Sequence, residues 1–153
     1  MKNYKTLYGQ PISDIFEYIK NYISDKKDIE ILIGCDSQSY GKKKTVYGVV
    51  IVLYTPRKGG HVLCYKETVP KEKNIQIRLI NEVWRSIEMA EELKAHSLPK
   101  PKYIDVDLNP DPRFKSNTVL REAIGLVEGM GYCARCKNNE PLVTYAANFL
   151  VRN

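Results

Sequence analysis

Four carboxylates occupy positions from which a folded chain can bring them together. Asp36 closes the apolar run 29–35. Asp105 and Asp107 lie in Tyr103-Ile104-Asp105-Val106-Asp107-Leu108, where alternation along a strand sets both acids on one face and Ile104, Val106 and Leu108 on the other. Glu82 belongs to a long helical pattern and falls on the flank of its apolar face at about 100° per residue. Desolvating a carboxylate costs several kcal/mol unless it is paired or holds a metal. If Asp36, Glu82 and Asp107 converge from three separate elements, their repulsion calls for a cation, and oxygen donors select a hard one, Mg²⁺ or Mn²⁺. Such clusters serve phosphodiester cleavage, often with two ions about 3.5–4 Å apart. The residues alone leave another reading open: Asp36 capping a turn, Asp105 and Asp107 exposed on an edge strand, and Glu82 a solvated helix charge.

The elements that must position these groups follow from periodicity. Apolar residues at three- and four-residue steps predict a first helix over 11–23, ended by the polar run 24–28. Strands are predicted over 29–35, 45–55 and 61–69, with a turn at Pro56-Arg57-Lys58-Gly59-Gly60. Strands joined by short turns pair antiparallel. The period then changes to that of a long helix over 74–96, followed by a strand at 103–108. Ser116 caps a predicted helix running to about Met130, closed by Gly131. A short strand at 132–136 and a last helix at 142–151 complete the chain. The expectation is an α/β domain with a five-stranded mixed sheet, three antiparallel strands then parallel ones, and helices on both faces. In such sheets ligands sit at the carboxyl ends of strands, where Asp36 is expected.

The chain of 153 residues is long enough for one domain with its own core. Apolar runs such as 47–54 are far short of the ~18 residues of a membrane span. The N-terminal stretch has no apolar h-region, which gives a cytoplasmic location as the expectation. Lys and Arg number 24 against 18 Asp and Glu, a surplus of +6 that suits a polyanion partner. Lys42, Lys43 and Lys44 are the basic run nearest Asp36, with Tyr40 and Tyr47 as candidate base-stacking rings. Cys133 and Cys136 form a lone Cys-x-x-Cys, which lacks the further ligands of a zinc site. No Gly-rich phosphate loop, nucleotide fingerprint or His-based triad signature is present.

Strands bearing Asp36 and Asp107 around a helix bearing Glu82 resemble the ribonuclease H-like fold. More closely, Ile33-Gly34-Cys35-Asp36-Ser37-Gln38, the run from Asp107-Leu108-Asn109-Pro110-Asp111-Pro112 through Lys115-Ser116-Asn117, and Gly129-Met130-Gly131-Tyr132 are similar to the YkuK-like family. That is a bacterial ribonuclease H-like family of unassigned function. The likeness runs from about Leu7 to the end and implies one domain over 1–153, with 1–28 as a helical extension. It implies a metal-dependent nuclease acting on RNA or DNA, with Asp36, Glu82 and Asp107 as catalytic ligands to Mg²⁺ or Mn²⁺. Ser37, Gln38, Asn109, Lys115, Ser116 and Asn117 are then expected to place the phosphate, Ser116 and its neighbours as a helix N-terminus. Ribonuclease H-like nucleases usually carry a fourth acid on the last helix, and here the matching residue is Asn148, which offers an oxygen without charge. That departure keeps a second expectation alive, a non-catalytic nucleic-acid-binding or adaptor domain of the same fold.

Overall fold

The computed structural model describes residues 2–107, 117–136, 146–147 and 150–152, with 117 and 118 as backbone. The elements in chain order are β1 (Tyr4–Thr6), β2 (Pro11–Ile12), α1 (Ile15–Ile23), β3 (Glu30–Tyr40), β4 (Lys44–Thr55), β5 (Gly59–Pro70), α2 (Ile75–Ala95), β6 (Tyr103–Val106), α3 (Asn117–Gly129) and β7 (Ala134–Cys136). Residues 146–147 and 150–152 are helical. The seven strands among the described residues form one sheet in the order β2-β1-β5-β4-β3-β6-β7. The long strands β3, β4 and β5 pair antiparallel, and β6 and β7 join parallel to β3.

The sheet exceeds the expected five strands because the chain before α1 is itself extended. β1 pairs with β5 and β2 with β1, so these short strands extend the sheet at its β5 edge. The first helix starts four residues later than its apolar spacing suggested. Ile12 is buried as a strand residue, and Asp14 is the N-cap, its Oδ1 accepting from the amides of Phe16 and Glu17 at 3.1 Å. An apolar residue two or three positions before a cap fits either pattern, so the side-chain period did not separate them. The long helix keeps close to its expected ends, because Asn74 caps it by accepting from the amides of Gln76 and Ile77. The last two strands are shorter than expected, four and three residues.

Alternation along the strands divides the core into two layers. Ile31, Ile33 and Cys35 of β3 and Tyr47, Val49, Ile51 and Leu53 of β4 face one side. There they pack with Ile15 and Ile19 of α1, Val83, Ile87 and Leu93 of α2, and Ala123 and Val127 of α3. Leu32, Val50, Val52, Val62 and Cys64 face the other side, covered by Ala146, Ala147 and Leu150. A strand buried on both faces reads as a continuous apolar run, which is the pattern of β4. At Gly48 the second layer is in close contact. A Cβ there would stand 2.6 Å from Val151 Cγ1 and 3.0 Å from Leu150 Cδ2, so only glycine admits the last helical residues this near the sheet. Tyr40 at the end of β3 donates a hydrogen bond to the Val151 carbonyl and fastens the same segment.

Candidate functional site

β3 continues five residues beyond the point where the sequence suggested it would end. Asp36 therefore lies within the strand, cross-paired to Gly48 of β4, and not at its carboxyl end. The extension arises because Ser37, Gln38 and Ser39 keep pairing with β4 although they are polar. The carboxyl end that matters is that of β6. Its parallel pairing sets Leu32 against Tyr103 and Gly34 against Asp105. Asp36 is on the face that carries Ala146, Ala147 and Leu150; two residues further in that register Asp107 falls alongside it, and Asp107 also lines a small pocket with Cys35, Leu79 and Glu82.

Glu82 approaches from the opposite layer. It is 5% exposed on α2, and its Oε2 accepts a 2.5 Å hydrogen bond from Ser37 Oγ. Ser37 thus turns toward the helix while its neighbour Asp36 turns away, and the Ser37 amide donates to Asp36 Oδ1 at 2.8 Å. One serine bonds both acids, one through its side chain and one through its backbone.

The electrostatics follow from this placement. Burial, and after it the charge of Asp107, pushes the Asp36 carboxyl up to about 6, against the pull of the Ser37 amide and of Arg78 and Arg152. Burial and then Asp36 push Glu82 well above the usual carboxylate range; Asp107 adds to this, while Ser37 and Arg78 oppose it. Burial holds the neighbouring Cys35 thiol well above its ordinary range, which keeps it protonated and inert. Asp36 and Glu82 thus each feel another acid of the trio. Among the described residues, however, no three His, Cys, Asp or Glu side chains lie close enough to share one ion.

Asp105 has a separate task. It is 8% exposed, and Arg135 of β7 grips it with two hydrogen bonds of 2.8 Å, from Nε to Oδ1 and from Nη2 to Oδ2. The Arg135 guanidinium also lies 4.7 Å from the centre of the Tyr103 ring. This bidentate pair accounts for a buried acid inside a strand without any metal. Asp105 and Asp107 share a strand face by pattern, yet one cross-links strands and the other faces Asp36.

Of the other expected site residues, Gln38 lies half-buried in β3 with its amide nitrogen 3.4 Å from the Ser39 carbonyl. Asn117 begins α3, described here through its backbone. Asn109, Lys115, Ser116 and Asn148 lie outside the described residues. Tyr47 is not a stacking platform: it is fully buried, with the Arg85 guanidinium 3.8 Å over its ring. Tyr40 is 37% exposed, and Lys44 stands 5.5 Å over its ring. Cys133 is exposed, Cys136 half-buried, and both are free thiols.

Arg78 is the residue that sequence reasoning missed. Its Nη1 donates to Ser39 Oγ at 2.9 Å, its Nε is buried without an acceptor among the described residues, and its charge reaches both Asp36 and Glu82. The signal was present in the spacing, since Arg78 and Glu82 are four apart and share a helix face. Arg152 reaches Asp36 only through the packing of the last residues on Gly48, which no local pattern announces.

Comparison with known proteins bears on this arrangement. No curated protein matches the chain. Among solved structures it is similar to prototype foamy virus protease–reverse transcriptase in its native crystal form, at 17% identity and a TM-score of 0.41. That match covers 84% of this chain and 22% of the viral one, so the chain spans about a fifth of the larger protein's length. A likeness of that size adds nothing to the reading of the site. The model of the ribonuclease H-like family matches residues 12–149, a span that takes in Asp36, Glu82 and Asp107. The chain therefore belongs to the ribonuclease H-like family.

Proposed function

We propose that this chain is a divalent-metal-dependent nuclease that hydrolyses phosphodiester bonds of RNA or DNA. The observation that carries the reading is the gathering of acids from three elements: Ser37 hydrogen-bonds Glu82 of α2 through its hydroxyl and Asp36 of β3 through its amide, and the β3–β6 register runs Asp107 alongside Asp36. Carboxylates kept together in this way are balanced by a cation. The donor set is all oxygen, with no imidazole or thiolate beside it, and so fits Mg²⁺ or Mn²⁺. Asp36, Glu82 and Asp107 would hold the ion. A divalent ion held there supplies Lewis-acid polarisation of the phosphoryl group and stabilises the departing 3′-oxygen. Ser37 keeps the Glu82 carboxyl aimed by its 2.5 Å hydrogen bond, so that Glu82 would be oriented to hold the ion. Arg78 offsets part of the acidic charge. Ser37, Gln38, Asn109, Lys115, Ser116 and Asn117 are assigned to the phosphate, and Asn148 to a neutral fourth ligand. We further assign the chain to the YkuK-like subgroup on its Asp107-to-Asn117 run, as one domain over 1–153 working in the cytoplasm. Among the described residues no helix is long and apolar enough to cross a membrane.

The test is cleavage of end-labelled single-stranded, duplex and hybrid substrates with Mn²⁺, with Asp36→Asn alongside. Cleavage by the natural chain that the variant loses supports the nuclease. Equal cleavage by both refutes the assigned site. Salt-dependent binding with no cleavage in either refutes catalysis and leaves the non-catalytic binding domain, the role that Asn148 in place of an acid would favour.

A further inference from the structure

A cleft of about 890 Å³ opens at the other end of the sheet, between the end of α1 and the β4–β5 turn. Along β4, from Gly48 beside Asp36 to Thr55 at the cleft, seven residues at the usual strand rise span about 23 Å, so this cleft is separate from the acidic site. Lys26, Lys27, Arg57 and Lys58 line it. Lys26 is engaged: it lies 3.2 Å from Asp25, donates to the Tyr22 carbonyl at 2.9 Å and sits 4.0 Å over the Tyr22 ring. The side chains of Lys27, Arg57 and Lys58 are exposed and have no hydrogen-bond or ion-pair partner among the described residues. Against these three cations stands Asp28, since Asp25 is balanced by Lys26. The backbone is held in the left-handed region at non-glycine residues on both walls, φ 62° at Asp28 and φ 69° at Arg57.

The cleft offers charge but no place for a base. The Tyr22 ring is already taken up by Lys26 and by the imidazole of His61, stacked 4.8 Å away at 20°. His61 in turn is fixed by a 2.7 Å hydrogen bond with Tyr18 Oη. An anion that enters meets ammonium and guanidinium groups with no free aromatic face among the described residues, which suits phosphodiesters better than nucleobases.

We propose that the cleft between α1 and the β4–β5 turn is a second, sequence-blind contact for the phosphate backbone of a nucleic acid, held by Lys27, Arg57 and Lys58. The proposal rests on the nucleic-acid reading above and adds a site to it. It is tested with the triple variant Lys27→Gln, Arg57→Gln, Lys58→Gln against a control that removes as many exposed cations elsewhere, Lys20→Gln, Lys66→Gln, Lys94→Gln. Binding of a labelled duplex is followed by fluorescence anisotropy in EDTA from low to moderate salt, with unfolding midpoints recorded for each protein. At ~0.9 counterions per phosphate contact, the cleft variant is expected to flatten the slope of log K against log salt by about 2 to 3 and to bind at least ~10-fold more weakly at low salt, the control changing much less. Equal losses in variant and control would show a net-charge effect and overturn the cleft. Binding by the natural chain that the cleft variant keeps in full overturns the cleft alone. No binding by the natural chain overturns the nucleic-acid reading and the cleft with it.

Discussion

Replacing Asp36 by Asn should make the metal-free protein more stable, and the size of the gain follows from the site. The carboxyl is raised from 3.8 to about 6, first by burial and then by Asp107. At 1.36 kcal/mol for each tenfold change, that displacement corresponds to a ceiling of about 3 kcal/mol lost by the charged form on folding. The sign is fixed by proton linkage. Below about pH 4 the group is protonated folded and unfolded and contributes nothing. Between about 4 and 6 the unfolded chain releases its proton while the folded one retains it, so stability falls as pH rises. Above about 6 the group is charged in both states and the whole penalty is present. Asn keeps an oxygen to accept from the Ser37 amide, 2.8 Å from the present carboxylate, so the substitution removes charge with little else. At pH 7 in EDTA, urea unfolding should therefore show Asp36→Asn more stable by up to about 3 kcal/mol, or several degrees in midpoint for a chain of this size. The two proteins should converge near pH 4. With Mn²⁺ the order should reverse, because only the natural chain gains binding energy. A variant less stable than the natural chain at pH 7 in EDTA would refute the account of Asp36 as a strained anion.

Three further outcomes are expected. Arg135→Ala removes both hydrogen bonds from a buried Asp105 carboxylate and should cost about 3–5 kcal/mol by denaturant unfolding; a loss below about 1 kcal/mol would mean that water replaces the guanidinium. Gly48→Ala puts a methyl 2.6 Å from Val151 and should cost about 1–3 kcal/mol, with the nuclear magnetic resonances of residues 150–152 shifting most; an unchanged spectrum would show that the last helical residues are not seated there. Asn148→Asp puts a carboxylate at the position proposed as the fourth ligand and should tighten Mn²⁺ binding in calorimetry about tenfold, while an unaltered affinity would remove position 148 from the proposed ion site.

Much of this architecture was readable beforehand, and the exceptions share a cause. The meander, the long helix and the parallel addition of β6 follow from periods of two and 3.6 that local burial enforces. The N-terminal strands were missed because they are three and two residues long, and β1, on which β2 pairs, finds its own partner some sixty positions away in β5. The extent of β3 was missed because Ser37, Gln38 and Ser39 carry no apolar signal, and β4 alone holds them extended. At the site, Asp36, Glu82 and Asp107 stand out by their types and elements. That Ser37 would join the first two required knowing that adjacent side chains of one strand meet different layers of the fold. The role of Asp105 was ambiguous for a comparable reason, since Arg135 lies thirty residues away on a strand whose placement only the sheet order reveals.

The seating of Asp36 inside β3 separates it mechanically from its companions. It is built into a strand that is laddered along its whole length to β4, whereas Asp107 stands one residue past the end of a four-residue strand. One jaw of such a vice is bolted to the bench, and the other lies past the end of its ladder. Under the metal-dependent reading proposed above, ions of somewhat different radius would meet the same anvil on the β3 side.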